Sequence, residues 1–370
     1  MEPDKAKWAE IGSPNDSSLN ELCASLHQLT IDLEIPSEND LCPWPQAQLD
    51  LCAQYGVFKW FLEERYGGFG WSKQELTLGY LALSSVCQTT TFIITQRTGA
   101  CQRVARSLND YPRDELLPGL LSGTHFSTVG ISHLTTSRRH LDQPILRAVE
   151  TEKGFVLNGF SPWVTGATQA DTIVVGAECG DGRQILIVVP AHIPGIKIAP
   201  PDHLVAFSAS QTSRVNFEEV EVDAKWLLAG PTQNVMAQGI GAHTGGYQTC
   251  TLALGLAGAA IDFIIAESQS RQDIVLPAKA LRDQWSEWRR ILLASASSRE
   301  ISGAESLRQQ CNSLVLRATQ ASLAVAKGTG FLSGHPAGRW CREALFFMVW
   351  SCPQSVINGQ LHQLAEILPE

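Results

Sequence analysis

The sequence has no excess of positive charge, no paired-cysteine motif and no long apolar run. Its net charge is −9 and its pI is near 5.5, which argues against nucleic acid as a partner because phosphate binding needs clustered Lys and Arg. The ten cysteines include no Cys-x-x-Cys pair and no zinc-ligand spacing, so we expect reduced, buried thiols and no metal site. No apolar run approaches about 18 residues and the N-terminus is polar, so we expect no membrane span, no signal peptide and a cytoplasmic location.

The composition that is present describes a globular chain of more than one domain. The chain has 370 residues, of which 44% are hydrophobic and 18% are charged, enough to bury a large core. Apolar residues recur at helical spacing, then alternate as in strands, then return to helical spacing. We predict an α+β multidomain fold with an N-terminal helical domain at 1–120, a central antiparallel β-barrel at 121–228 and a C-terminal four-helix bundle at 229–370.

One strand of the predicted barrel contains a change of phase. Val215 and Phe217 lie at odd positions, whereas Val220 and Val222 lie at even positions. Because strand side chains alternate between faces, the slip at Glu218-Glu219 predicts a β-bulge.

The stretch at 154–166 places an aromatic and a hydroxyl side chain close together. It begins with strand-like alternation, and Asn158-Gly159 predicts a turn. Trp163 and Thr165 stand two residues apart, so an extended backbone projects both to one face. Such a pair offers a flat apolar surface beside a hydrogen-bond donor, which suits a planar heterocyclic cofactor. From these residues alone, a core aromatic beside an ordinary strand threonine is the alternative.

Several motifs in a fixed order resemble those of the acyl-CoA dehydrogenase family of FAD flavoproteins. The resemblance runs from about residue 45 to residue 357. The matching segments are 64–70 (Glu-Arg-Tyr-Gly-Gly-Phe-Gly), 154–165 with its Trp and Thr, Gly255-Leu256-Ala257 followed by Asp262 and Arg271, 328–331 (Gly-Thr-Gly-Phe), and 342–344 (Arg-Glu-Ala). The resemblance implies the helical, β-barrel and helical-bundle order, with FAD as cofactor.

The same resemblance assigns cofactor contacts by position. Trp163 would pack near the isoalloxazine ring, and Thr165 would offer its hydroxyl to the flavin N5 region. Arg271 would meet the FAD pyrophosphate from a neighbouring subunit, a contact suited to a guanidinium. The further implied cofactor residues are Ser132, Gly328 and Gly330.

The sequence departs from the family where the catalytic base is expected. The family usually has a Glu nine residues after the Arg of its Arg-Asp-Ala motif, and that position is Ser351. Some members carry the Glu before the Gly-Leu-Ala helix, where this chain has Gly245. A serine hydroxyl without assistance is too weak a base to remove an α-proton. His133 and His243 are the replacement candidates, each with a structural or surface role as the alternative.

Three hypotheses of function follow from the resemblance. The first is an FAD-dependent oxidoreductase that dehydrogenates an acyl thioester or related substrate at its α and β carbons, with hydride transfer to flavin N5 and a base outside the usual position. The second is a flavin-dependent monooxygenase of the same fold, which needs no α-proton base. The third is a non-catalytic subunit of a hetero-oligomer. A shared cofactor site implies a homodimer or homotetramer; the electron acceptor is left open.

Overall fold

The computed structural model describes residues 9–30, 33, 42–135, 145–239, 247–297 and 303–367. Its N-terminal part is helical, as predicted. Helix α3 (Lys73–Val86) begins with a capping box, in which the Ser72 side chain accepts from the Glu75 amide and the Glu75 carboxylate accepts from the Ser72 amide. The helices are α1 (Ser17–Thr30), α2 (Gln46–Gln54), α3 (Lys73–Val86), α4 (Gln88–Ala105) and α5 (Asp110–Ser122).

The central part is one eight-stranded sheet. Its strands are β1 (Ser127–Gly130), β2 (Leu146–Glu150), β3 (Gly154–Val164), β4 (Thr172–Cys179), β5 (Gln184–Pro190), β6 (Ile196–Ile198), β7 (Ser213–Asp223) and β8 (Leu227–Thr232), with a short helix α6 (Ser132–Thr135) after β1. The strand order is β6-β7-β3-β2-β4-β5-β8, and β1 pairs with β4. The sheet is mixed and not wholly antiparallel, because β4 pairs in parallel with both β1 and β2. The alternation of apolar residues along a strand predicts which face is buried. It does not predict whether the neighbouring strand runs parallel or antiparallel.

Strand β3 and its partner β7 carry the predicted bulge. Leu157 pairs with Val220 and Gly159 pairs with Phe217, so β7 has one residue more than β3 across this step. Glu219, inside the bulge, has a φ of 49°. The predicted turn at Asn158-Gly159 is wrong, since β3 is continuous from Gly154 to Val164. The Asn158 Oδ1 instead accepts a hydrogen bond from the Glu219 amide at 2.9 Å, so this side chain caps the bulge of the neighbouring strand.

The C-terminal part is a helical bundle built from α7 (Tyr247–Ser268), α8 (Val275–Ser297), α9 (Ala304–Ala326) and α10 (Pro336–Leu345), followed by α11 (Gln354–Leu364). Helix α10 is short because a 3₁₀ turn at Phe346–Met348 follows it directly. Helix α7 is long and apolar enough to span a membrane, but 72% of that window is buried inside the protein. A core helix meets the same criteria, so this is weak evidence for a span.

One hydrophobic core joins the N-terminal helices to the bundle. Leu22, Trp60 and Ile93 belong to the same buried cluster as Leu256 and Leu314. The sheet has a second core of its own. The ten cysteines are free thiols and most are buried, consistent with the expectation of reduced side chains.

Helix α7 lies so close to α3 that Gly255 has no room for a side chain. A Cβ at Gly255 would lie 1.9 Å from the Ser84 Oγ and 2.9 Å from the Leu81 carbonyl oxygen. We expect Gly255→Ala to lower the free energy of unfolding by about 1–3 kcal/mol, a crowding cost that exceeds its gain of about 1 kcal/mol in helix propensity. Chemical denaturation measures this change. Adding Ser84→Ala should recover part of the loss; a Gly255→Ala variant as stable as the wild type would contradict this close packing.

Candidate functional site

A cavity of about 610 Å³ lies where the sheet meets both sets of helices. Its walls come from α4, from the ends of β1 and β3, from the segment at 204–207, from the start of α7 and from α10 with the turn that follows it. Three of the residues assigned from the sequence, Trp163, Thr165 and Ser132, line this one cavity, and so does Ser351. It is therefore the candidate active site.

Trp163 and Thr165 both line the cavity, as their two-residue spacing predicts. Trp163 is 51% exposed, so its indole has surface available to a ligand. Thr165 is buried, and its hydroxyl oxygen accepts a hydrogen bond from the Thr212 hydroxyl at 3.3 Å. Thr212 is in turn 2.9 Å from the Ser210 Oγ. Because the Thr165 oxygen accepts from within the protein, its own proton is left for a group in the cavity.

This chain of hydroxyls gives a direct prediction. Thr212→Val keeps the side-chain shape but removes the donor that orients Thr165, so we expect binding of a ligand in the cavity to weaken by about 3- to 10-fold. FAD titration measures the effect. Thr212→Ser is the matched control because it keeps the hydroxyl. If Thr212 acts through Thr165, its effect disappears in a Thr165→Val background; a full additional loss in the double variant would contradict the relay.

Ser132 supplies a second hydroxyl to the wall of the cavity. Its buried Oγ makes no hydrogen bond within the described residues, and the side chain lines the cavity. A buried hydroxyl without a partner is costly unless a ligand or water satisfies it. The indole, the outward-donating Thr165 and the unsatisfied Ser132 are the kinds of group that a planar heterocycle with ring nitrogens and carbonyls requires, so these residues fit FAD.

Four aromatic side chains form another wall of the cavity, which we call the aromatic wall: Phe92, Phe207, Phe346 and Trp350. Their rings contact one another, with Phe346 stacked on Trp350 at 5.3 Å between centroids and Phe207 4.7 Å from Phe346. Such contacts hold rings in fixed orientations. The aromatic wall therefore offers a rigid apolar surface to the non-polar part of a ligand.

The charged groups of the cavity are cationic. Arg103 and Arg342 line it, and no Asp, Glu or His is among its described lining residues. Burial lowers the pKa of the Arg103 guanidinium to about 10, so it stays charged at neutral pH. Ser351 occupies the position where the family's base is expected, with a φ of 46°, a conformation rarely adopted by residues other than glycine. The described lining thus holds no group able to remove an α-proton.

Of the two replacement bases proposed from the sequence, His133 is the one that the structure describes, and its ring is held away from the cavity. The His133 Nε2 lies 2.8 Å from the Gly176 carbonyl oxygen, which fixes it as the protonated nitrogen. Burial lowers the pKa of His133, so the ring is neutral. His133 is not among the lining residues. His243 and Gly245 lie outside the described residues.

Arg271, Gly328 and Gly330 form a separate group at the far end of the bundle. The 22 residues of α7 separate the cavity from Arg271, roughly 30 Å along a helix. The Arg271 guanidinium donates to the Val325 carbonyl at 2.9 Å and lies 3.6 Å from the Asp273 carboxylate. A Cβ at Gly330 would lie 2.7 Å from that of Ala326, whereas Gly328 faces open space. Within one chain, these residues do not meet Trp163.

Comparison with known proteins gives a consistent result. No protein-family model matches the chain. The probable acyl-CoA dehydrogenase YngJ of Bacillus subtilis is 26% identical over 59% of this chain and 59% of its own length, so the match spans less than two thirds of that relative. The mitochondrial short-chain specific acyl-CoA dehydrogenase of Mus musculus is 21% identical over 81% of this chain and 78% of its own.

Solved structures extend the likeness to nearly the whole fold. Butyryl-CoA dehydrogenase from Megasphaera elsdenii superimposes with a TM-score of 0.74 at 17% identity, covering 94% of this chain and 98% of its own. An FAD-dependent dehydrogenase superimposes with a TM-score of 0.77 at 18% identity, covering 95% and 99%. The chain has the acyl-CoA dehydrogenase fold and is similar in sequence to acyl-CoA dehydrogenases. In this acyl-CoA dehydrogenase fold, the cavity lies between the sheet and the bundle. Arg271 lies at the opposite end of α7.

Sequence reasoning missed much of this acyl-CoA dehydrogenase-type cavity. It identified neither the aromatic wall nor Thr212 nor the buried Arg103. One signal was available: Trp350 immediately precedes Ser351, the position already singled out for the base, and Phe346 stands in the same short segment. Phe92 and Phe207 give no such signal, since only the fold brings them to the same wall.

Proposed function

We propose that this chain of acyl-CoA dehydrogenase fold binds FAD in the cavity and oxidises an acyl thioester or related substrate at its α and β carbons, with a base that is not at the family's usual positions. The observation that carries the proposal is the convergence of Trp163, Thr165 and Ser132 on one cavity with an aromatic wall. When bound, FAD would supply the acceptor for the β-hydride. Trp163 would pack on the flavin ring system, and Thr165 and Ser132 would hydrogen-bond to it.

The aromatic wall would hold the acyl group. Its stacked and edge-on rings form the apolar side of a cavity that also excludes water from the reacting carbons. Arg103 and Arg342 would favour an anionic group on the ligand, through charge-assisted hydrogen bonds. The α-proton must leave to a group outside the described lining: the substrate itself, a partner subunit or one of the chain's remaining residues.

Anaerobic mixing of FAD-reconstituted protein with a panel of acyl thioesters tests the proposal. The panel should include CoA and carrier-protein thioesters with alkyl, aryl and carboxylated acyl groups. We expect visible flavin absorbance to bleach with at least one substrate. Bound FAD that no member of the panel reduces would refute the dehydrogenase proposal while leaving cofactor binding intact.

The absence of a carboxylate or imidazole from the described lining favours a second candidate, a flavin-dependent monooxygenase. Such an enzyme needs no α-proton base, which suits this set of lining residues. It would take reducing equivalents from a separate reductase. Incorporation of an atom of isotopically labelled O₂ into a product would support it, and flavin reduction by a thioester without O₂ would favour the dehydrogenase. A chain that binds no FAD would be the non-catalytic subunit.

Assembly as a homodimer or homotetramer, or with a related subunit, forms part of the proposal. Leu276, which follows Arg271 closely in sequence, is an exposed apolar side chain, and so are Phe331 and Leu332, which follow Gly330 directly. A second copy covering this region could bring Arg271 to the FAD pyrophosphate of its neighbour. Light scattering with and without FAD measures the assembly; a monomer with full FAD affinity would exclude a shared cofactor site.

A further inference from the structure

Arg308 is a buried cation that has no carboxylate partner among the described residues. It lies on α9 and is 3% exposed, and no ion pair joins it to any described acidic side chain. Its Nε and Nη1 make no hydrogen bond within the part of the chain that the structure describes. Burying a guanidinium without a counter-charge is unfavourable, and an apolar side chain of similar length fills such a site without that cost. Packing alone therefore does not explain an arginine at position 308.

The hydrogen bonds that Arg308 does make all go to one turn. Its Nη2 donates to the Trp350 carbonyl at 2.9 Å and to the Phe347 carbonyl at 3.2 Å. Asn312, one helical turn further along α9 and fully buried, donates its Nδ2 to the same Phe347 carbonyl at 2.9 Å. Residues four apart share a helix face, so Arg308 and Asn312 act on the turn together, and we call this pair the polar latch.

The turn held by this latch builds the cavity. Its internal hydrogen bonds are few, the Val349 and Trp350 amides both donating to the Phe346 carbonyl. It ends at Ser351, whose φ of 46° is unfavourable for a residue with a side chain. Phe346, Trp350 and Ser351 all line the cavity, while the Phe347 side chain is fully buried on the helix side. The hydrogen bonds from α9 to backbone carbonyls of the turn thus determine which side chains of the turn face the cavity.

We propose that Arg308 is a positioning residue for the candidate active site, holding the turn at 346–351 through its two carbonyl hydrogen bonds so that Phe346, Trp350 and Ser351 keep their places in the cavity wall. The latch itself is independent of the cofactor. Its functional meaning rests on the proposed function, because only a ligand in the cavity would sense the displaced wall.

Amide hydrogen–deuterium exchange of the ligand-free protein tests the latch directly. Arg308→Met keeps the length and apolar volume of the stem but removes both hydrogen bonds. We expect exchange at Val349 and Trp350 to rise at least 10-fold, with exchange in α4 unchanged. Arg308→Lys keeps one donor group and should recover part of the protection. Arg317→Met is the matched control, since Arg317 lies on the same helix but bonds Gln284 and Ser313.

Unchanged exchange at Val349 and Trp350 in folded Arg308→Met would overturn the proposal, as would a rise spread equally over α4 and the turn. If Arg308→Met fails to fold, Asn312→Ala tests the latch instead, because it removes only the hydrogen bond to the Phe347 carbonyl. A rise in amide exchange confined to the turn supports the latch, and unchanged exchange contradicts it. In reconstituted protein, the dissociation constant of an acyl thioester should rise at least 10-fold in Arg308→Met while that of FAD changes less than twofold. A protein that binds no FAD would refute the proposed function and leave the exchange result standing.

Discussion

Replacing Ser351 by glutamate is expected to raise the rate at which an acyl thioester reduces the bound flavin by about 10²- to 10⁴-fold, the usual contribution of a well-placed general base. Ser351 lines the cavity beside Trp350, and the described lining offers no other carboxylate or imidazole. A carboxylate against aromatic rings has a raised pKa, which suits proton abstraction near neutral pH. Glutamate and serine bear the same backbone strain at this position, so the fold should tolerate the change.

Stopped-flow absorbance under anaerobic conditions measures this rate. Ser351→Gln is the matched control, because it has the size of glutamate without its basicity. Equal rates in the Glu and Gln variants, with FAD bound in both, would show that the cavity does not present residue 351 to the substrate's α-carbon. A wild-type rate already as fast as that of the Glu variant would show that the wild-type base is as effective as a carboxylate at position 351, and would contradict the expected gain.

Trp163→Ala is expected to weaken FAD binding by about 10- to 100-fold, the usual effect of removing an aromatic ring stacked on a planar heterocycle. The indole is 51% exposed, so its removal leaves little unfilled core and the fold should persist. Thr165, two residues along the strand, would keep its hydrogen bond and some residual affinity.

Titration of the apoprotein by visible absorbance measures this affinity. Trp163→Phe should restore most of it because a ring remains. Trp226→Ala is the control for loss of a tryptophan elsewhere, since Trp226 packs on Tyr111 away from the cavity. FAD affinity unchanged in Trp163→Ala would remove the indole from the cofactor site.

Local patterns predicted the parts of the fold that local physics determines. The bulge at Glu218-Glu219 follows from strand alternation, because a phase slip cannot be accommodated without an extra residue. The segment 89–95 is helical in α4 despite its β-branched residues, because the helix is buried on nearly all sides. The turn predicted at Asn158-Gly159 failed because the Asn158 side chain bonds to the bulge of β7, a partner that its own neighbourhood does not reveal.

The cavity could be predicted only in part, for a related reason. Trp163 and Thr165 share one strand end, so their spacing was informative. The aromatic wall combines α4, the segment at 204–207 and the turn at 346–350, which lie far apart in sequence. Arg308 is identifiable only through the carbonyls to which it donates, since these belong to a turn about 40 residues away in sequence. Contacts between distant segments depend on tertiary packing, which periodicity does not encode.

The central claim is that the cavity bounded by Trp163, Thr165 and the aromatic wall holds the flavin of FAD. An FAD titration of the purified, folded protein tests this claim most directly. Visible absorbance monitors the binding, and the end point gives the stoichiometry. The account predicts saturable binding of one FAD per chain with a perturbed flavin spectrum. A folded protein that stays colourless, with no saturable binding at high FAD concentration, would contradict it.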